Sequence, residues 1–130
     1  DHFAENSAIG TKLQITATQV FIQYGYKATT LALIAEKLNI NKASIHYYFR
    51  NKKTLYESVL NVIFEQLLKH KTIDSKTAWF ILTEIHTNEE HFLSILNKSK
   101  HSTEIKTIIK SALTSQISIF TSEEITKFEL

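Results

Sequence analysis

A short segment of this 130-residue chain concentrates hydrogen-bonding side chains that a packed core does not require. Between residues 42 and 52 these side chains include Lys42, Ser44, His46, Tyr47, Tyr48 and Lys52. Hydroxyl, imidazole and ammonium groups donate hydrogen bonds, and such donors can contact anionic groups such as phosphate. The segment therefore predicts a surface that contacts a polar or anionic partner.

Catalytic chemistry is not indicated by the same residues. Ser44 and His46 are two positions apart, so on a helix they point to different faces and cannot form a Ser–His pair. The chain has only two glycines, which leaves no glycine-rich loop for a nucleotide phosphate. The sequence predicts no enzyme.

A metal site is the other chemical alternative, and it rests on His86 and His91 with Glu89 or Glu90 as a third ligand. Metal-binding histidines on one helix usually stand three or four positions apart, whereas these two are five apart. Surface histidines are the commoner interpretation of such a pair. We predict no metal and no cofactor.

Two short helices joined by a tight turn must position the polar segment. The first has a periodic apolar face made of Leu31, Ile34, Ala35 and Leu38, and Asn39 tolerates the positive φ that ends a helix. Asn41 is a favourable N-cap for a second helix over about residues 42–49, which Ile45 and Phe49 anchor inward. This is the helix-turn-helix pattern, in which the second helix enters the major groove of B-DNA.

The flanking elements are also predicted to be helical, which makes the chain all-α. A first helix over about residues 7–24 has an inward stripe of Leu13, Ala17, Val20, Phe21 and Tyr24, with Gly25 as a left-handed C-cap. Thr29 or Thr30 caps the second helix. A fourth helix of about 18 residues follows Lys53 and turns Leu55, Val59, Val62, Ile63 and Leu67 inward.

The segment FIQYGYKATTLALIAEKLNINKASIHYYFRNKKTLYESV resembles the DNA-binding head of the TetR (tetracycline repressor) family. The similarity extends over roughly residues 7–65 without gaps. The positions that carry it are Phe21, Gly25, Tyr26, Thr29, Thr30, Ile34, Ala35, Ile45, Tyr48, Phe49 and Lys52.

The resemblance implies a role for each residue at a matching position. Those that face the major groove in such proteins correspond to Lys42, Ala43, Ser44 and Tyr47. Those that contact phosphates correspond to Thr29, Thr30, His46, Tyr48 and Lys52. Two positions depart from the family pattern, which usually has Tyr in place of His46 and often Gly in place of Ala43.

The chain divides into a basic head and a mildly acidic body. Residues 1–56 carry seven Lys/Arg against three Asp/Glu, a net charge of +4, and residues 57–130 carry eight against ten, a net charge of −2. By resemblance, residues 1–56 are the helix-turn-helix DNA-binding domain. Residues 57–130 are then a helical regulatory body for ligand binding and dimerisation, shorter than is usual in the family.

The body itself has no motif, only apolar residues at helical spacing. We interpret most of them as core: Trp79, Phe80, Leu82, Ile85, Phe92, Ile95, Leu96, Ile105, Ile108, Ile109, Leu113, Ile117 and Phe120. Trp79, Phe80 and Phe92 are weak candidates for contacts to a ligand. The run from Thr87 to Glu90 has capping-box spacing and predicts the start of a helix at Thr87.

Together these observations predict a ligand-responsive repressor that binds a palindromic double-stranded DNA operator as a homodimer. Its small-molecule effector is unknown, and no membrane segment or signal peptide is indicated. The absence of cysteine suits a cytoplasmic protein. A second hypothesis stays open: a helical protein that binds a small molecule or another protein, whose head has lost DNA reading.

Overall fold

The computed structural model describes residues 2–116, with the side chains of residues 8–115, and these form two compact units that divide between Leu60 and Asn61. The helices are α1 (His2–Ala28), α2 (Leu31–Leu38), α3 (Lys42–Tyr48), α4 (Lys52–His70), α5 (Ser75–Thr87), α6 (Glu89–Lys98) and α7 (Ser102–Gln116). The described residues contain no strand, which confirms the all-α prediction. No helix among them is long and apolar enough to cross a membrane.

In the first unit, α1 buries the predicted stripe up to Phe21 but not beyond it. Leu13, Ala17, Val20 and Phe21 are all at most 1% exposed, whereas Tyr24 is 42% exposed. The inward prediction for Tyr24 was wrong, because the helix is interrupted one residue later. Tyr26, beyond the interruption, stacks on Phe21 instead, with ring centroids 6.2 Å apart.

Gly25 causes that interruption with a backbone conformation that is almost restricted to glycine. Its φ of 82° and ψ of 168° lie far from the left-handed helical values of about 57° and 47°, so the break was predicted at the right residue but with the wrong cap geometry. The carbonyl of Gly25 accepts a hydrogen bond from Thr29 Oγ1 at 2.7 Å. This bond fixes the backbone between α1 and the start of α2.

The turn between α2 and α3 follows the predicted chemistry. Thr30 is the N-cap of α2, where its Oγ1 accepts from the Leu33 amide at 3.0 Å. Asn39 closes the helix with φ 55° and ψ 44°, and its amide donates to carbonyls of the last turn. Asn41 occupies the N-cap position of α3, but its side chain makes no capping hydrogen bond.

The second unit is built on the rest of α4 and on α5, α6 and α7. Asp74 caps α5, since its Oδ1 accepts from the Thr77 amide at 2.7 Å. The buried side chains on α5–α7 are Ala78, Phe80, Ile81, Leu82, Glu84, Ile85, Phe92, Ile95, Leu96, Ile105, Ile109, Ala112 and Leu113. Ile108 is half-buried, and the predicted core residues Ile117 and Phe120 lie outside the described residues.

Two predictions for this unit were wrong. Thr87 does not start α6 but ends α5, where its Oγ1 donates to the carbonyl of Thr83 at 2.8 Å. The N-cap of α6 is Asn88, the single residue between the two helices. Trp79 is 46% exposed rather than core, because it lies on the side of α5 opposite to the buried residues around Ile81.

Candidate nucleic-acid interface

The second helix of the helix-turn-helix, α3, is anchored by few apolar contacts. Ile45 is completely buried, while Phe49 and Ile40 at its two ends are half-buried. A helix of seven residues with one buried anchor leaves most of its circumference outside the core. This arrangement explains why α3 can present polar groups to a partner without loss of packing.

The outer face of α3 carries the side chains expected to face the major groove. Lys42, Ala43 and Tyr47 are exposed, and Ser44 is half-buried. Tyr47 is 70% exposed, the highest value among the large apolar and aromatic residues that stand at the surface. These residues lie together on one solvent-facing surface, which we call the α3 face: Lys42, Ala43, Ser44, His46 and Tyr47.

The ring of Tyr47 is held from one side by its neighbour Tyr48. Their centroids are 5.0 Å apart at an interplanar angle of 81°, an edge-to-face arrangement that is favourable for aromatic pairs. Tyr48 is half-buried, and its Cδ1 and Cε1 atoms lie close to the backbone of Gly10 in α1. The sequence interpretation missed this contact, although an isolated glycine inside a helical pattern often has a packing reason.

His46 is exposed, and its ring is oriented by a backbone carbonyl. Nδ1 lies 3.2 Å from the carbonyl oxygen of Arg50, which can only accept a hydrogen bond. The neutral ring therefore carries its proton on Nδ1 and has Nε2 as an acceptor. Only the protonated ring would donate from Nε2 to a phosphate, whereas the tyrosine that the family usually has there donates at any neutral pH.

The two threonines before α2 have different roles. Thr29 is completely buried, and its hydroxyl donates to the carbonyl of Gly25, so its side chain does not face a phosphate. This corrects the expectation for Thr29, which the sequence could not separate from its neighbour. Thr30 is exposed, and its capping bond uses an acceptor lone pair of the hydroxyl, so the O–H remains a donor for a phosphate.

Lys52 lies at the first position of α4, beside an aromatic cluster. Its Nζ is 4.1 Å from the centroid of the Tyr26 ring, a cation–π geometry. Tyr26 in turn packs on Tyr56 at 4.5 Å, and Tyr56 meets Phe21 edge to face at 5.4 Å. The cluster fixes the start of α4 against α1. The sequence pattern did not predict it, because Tyr56 is not among the residues predicted to face inward.

Asn51 stabilises the same end of α4 with its side chain. Its Oδ1 accepts from the amide of Thr54 at 2.8 Å and from the Thr54 hydroxyl at 2.9 Å. An asparagine at this position satisfies amides that have no partner within the helix. Lys52 is thus held on a capped helix terminus rather than on a mobile loop.

The charge around these elements has one sign. Residues 37–56 contain five Lys/Arg, namely Lys37, Lys42, Arg50, Lys52 and Lys53, and no Asp or Glu. A surface with such a local excess attracts polyanions. The segment covers α3 together with the chain on both sides of it.

The body residues suggested for ligand contacts are placed differently from one another. Phe80 and Phe92 are at most 1% exposed, and the Phe92 ring meets Phe64 edge to face at 5.9 Å. Trp79 is exposed on α5. A ligand role for these three residues stays a prediction.

The two body histidines that suggested a metal site lie on different helices. His86 is exposed near the end of α5, and His91 is half-buried in α6. The His91 Nδ1 atom lies 3.4 Å from the side-chain amide nitrogen of Asn88. The residues with described positions contain no group of three or more His, Cys, Asp or Glu side chains placed to hold a metal ion.

Comparison with known proteins identifies the head. Residues 16–59 match the family described as bacterial regulatory proteins, tetR family, and this range runs from the middle of α1 into α4. Over these residues the head is similar to the helix-turn-helix domain of that family. All nine residues predicted to contact DNA lie within the TetR-family match, whereas Gly10 lies outside it.

Relatives of known name support the same assignment over the head. The chain is 37% identical over 51 residues to the uncharacterized HTH-type transcriptional regulator YhgD of Bacillus subtilis, which covers 39% of this chain and 27% of that protein. It is 41% identical over 56 residues to IcaR of Staphylococcus aureus (strain Newman), named a negative transcriptional regulator of the biofilm operon icaADBC. This alignment covers 43% of this chain and 30% of IcaR. The two alignments thus span less than a third of each relative. No solved structure matches the chain significantly.

Proposed function

We propose that this chain is a DNA-binding transcriptional regulator, or the part of one that reads DNA, and that α3 enters the major groove. The observation that carries the proposal is the α3 face, with Tyr47 70% exposed on a helix anchored by the buried Ile45. Side chains near the N-terminus of a recognition helix reach base edges, which suits Lys42, Ala43 and Ser44. Ala43, with only a methyl group, can contact the methyl of thymine.

Phosphate contacts would come from the residues around α3. Thr30 and Lys52 sit at the N-terminal ends of α2 and α4, where amides and side-chain donors favour anions. Tyr48 and the protonated form of His46 would add donors from α3 itself. Such contacts orient a protein on the duplex and make its affinity depend on salt.

A dimer on a palindromic operator follows from the geometry of two such heads. Two recognition helices must lie about 34–36 Å apart to enter successive major grooves on one side of the duplex. We propose that the body supplies the two-fold contact and the site for an effector, which would act through its different affinity for two dimer geometries. The named role of IcaR as a negative regulator favours repression over activation, and such a regulator would act in the cytoplasm.

Fluorescence anisotropy tests the proposal directly. The probes are the duplex from upstream of the protein's own gene and a scrambled duplex of the same composition, each titrated at several salt concentrations. We expect tighter binding to the upstream duplex and a steep loss of affinity with salt as counterions are released. Sedimentation of the complex should show two protein chains per site.

Equal, salt-insensitive affinity for both duplexes would overturn the proposal. It would favour the alternative of a helical module that binds a protein or small molecule and whose head has lost DNA reading. A single bound chain per site would leave DNA binding in place and remove only the dimer. The two parts of the proposal are therefore tested separately.

A further inference from the structure

Gly10 lies inside α1, where glycine is a poor helix former compared with alanine. A Cβ atom added at this position would lie 3.3 Å from Cδ1 and 3.4 Å from Cε1 of Tyr48. These distances are shorter than ordinary van der Waals contact, so a side chain here would displace the tyrosine ring. The missing side chain of Gly10 thus makes room for Tyr48.

Tyr48 connects that space to the α3 face. Its ring meets Tyr47 edge to face at 5.0 Å, and Tyr47 is 70% exposed. A side chain at a recognition surface depends on the groups packed against it for a defined orientation. Tyr48 is therefore a spacer with α1 on one side and Tyr47 on the other.

We propose that Gly10 is a positioning residue for DNA reading, which acts through Tyr48 on the orientation of Tyr47. The inference rests on the proposed function, because it makes the orientation of Tyr47, a side chain proposed to read bases, depend on Gly10. It does not follow from the TetR-family match, which begins at residue 16. Gly10 itself touches no DNA in this proposal.

Larger side chains at position 10 should push Tyr48 by increasing distances. For Gly10→Ala the ring must move by a few tenths of an ångström, and for Gly10→Leu by more. Recognition sites hold their side chains to within about 0.5 Å, and the shift for alanine takes up much of that range, so we expect selectivity to fall roughly threefold for alanine and further for leucine. Both substitutions improve helix propensity, so the loss cannot come from a weaker α1.

The experiment first determines the preferred sequence by selection from a random duplex library with the wild-type chain. Affinities are then measured for the selected duplex and for a scrambled duplex of equal length. The variants are Gly10→Ala and Gly10→Leu, each in the wild-type and in the Tyr48→Ala background. Ala8→Gly, at an exposed position of the same helix, is the matched control with the opposite change in helix propensity.

We expect the ratio of the two affinities to fall in the order Gly, Ala, Leu, with a smaller loss of affinity for the scrambled duplex, because Tyr48 also donates to phosphate in the proposed function. Ala8→Gly should lower thermal stability and leave the ratio unchanged. In the Tyr48→Ala background the residue at position 10 should have no further effect, because the spacer is gone. If Gly10→Leu does not fold, the alanine variant and its double-mutant cycle give the same test.

A ratio unchanged by Gly10→Ala in an otherwise selective protein would overturn this inference and leave the proposed function intact. An equal loss with and without the Tyr48 ring would overturn it as well, since the effect would not pass through Tyr48. A wild-type chain that selects no sequence would instead overturn the proposed function, and the inference with it.

Discussion

In the first unit Tyr47 stands at the surface with 70% of its area exposed, whereas in the second unit Phe92 is completely buried and packs edge to face against Phe64. Both are aromatic residues on helices, but a tyrosine has a polar tip that can hydrogen-bond to a partner, and phenylalanine has none. The comparison separates an exposed aromatic side chain that can hydrogen-bond to a partner from a buried one that contributes only to packing. Trp79, exposed at 46% in the second unit, also has a polar N–H group.

The two units also differ in the arrangement of their charged residues. In the head, residues 37–56 hold five Lys/Arg and no Asp or Glu, a net charge of +5 within this segment. In the body, Lys71 donates to Glu104 at 2.9 Å, an ion pair of opposite charges. Unbalanced charge attracts a partner, while paired charge contributes modestly to folding.

The largest expected effect is on the stability of the body. Phe92→Ala removes a completely buried ring, and we expect the free energy of unfolding to fall by about 3–5 kcal/mol. Urea unfolding measures this change, and Trp79→Ala, at an exposed aromatic position, should cost far less. Similar losses for both variants would contradict the distinction between core and surface aromatics.

Removal of the exposed Tyr47 ring in the head should affect DNA recognition rather than stability. For Tyr47→Ala we expect discrimination between selected and scrambled duplexes to fall by about 1–3 kcal/mol, because base-edge contacts have this magnitude. The non-specific affinity and the urea midpoint should change little, since the ring is mostly exposed. Equal losses of affinity on both duplexes would argue against a base-reading role.

Lys52 is expected to contribute both to the stability of the head and to DNA binding, so its substitution should affect both quantities. Lys52→Ala should weaken binding to every duplex, flatten the salt dependence by about one unit, and lower stability by about 0.5–1 kcal/mol through the lost contact with Tyr26. Tyr26→Leu removes the same contact and retains the cation, so the salt slope should stay unchanged, while stability falls further because the ring contacts with Phe21 and Tyr56 are also lost. An unchanged salt slope for Lys52→Ala would exclude a phosphate contact.

The smallest effect concerns the paired charges of the body. The hydrogen bond from Lys71, with its positive charge, lowers the pKa of Glu104 below its ordinary value. A carboxylate whose pKa is lower in the folded state stabilises the fold above its unfolded pKa, and this contribution is lost as pH falls through the folded pKa. Both side chains are about half exposed, at 56% and 51%, so the contribution is small.

Thermal unfolding of Glu104→Gln across pH tests this contribution. The stability difference from wild type should be present at neutral pH, shrink as pH falls below the ordinary glutamate range, and shrink with added salt. Glu65→Gln, at an exposed position of α4 that has no ion pair among the described residues, is the control. A difference that grows toward low pH would have the wrong sign for a lowered pKa.

The head was largely predictable because local chemistry specifies it. The Thr30 cap, the positive φ of Asn39 and the inward Ile45 each follow from a residue type and its spacing, and the structure has all three. The predicted DNA contacts share the α3 face and the nearby helix ends, except for the side chain of Thr29. Thr29 and Thr30 are equally good caps in sequence, so only their surroundings could separate them.

What the sequence by itself determined is therefore the order of helices, the caps at Thr30 and Asn39, the short turn and the basic, donor-rich character of the segment around α3. These features depend on neighbours within about four residues. Only the tertiary structure decided that Tyr24 faces solvent, that Tyr26 and Tyr56 hold Lys52, and that Gly10 makes room for Tyr48. Those contacts join residues far apart in the chain, and no local periodicity records which distant ring fills a given space.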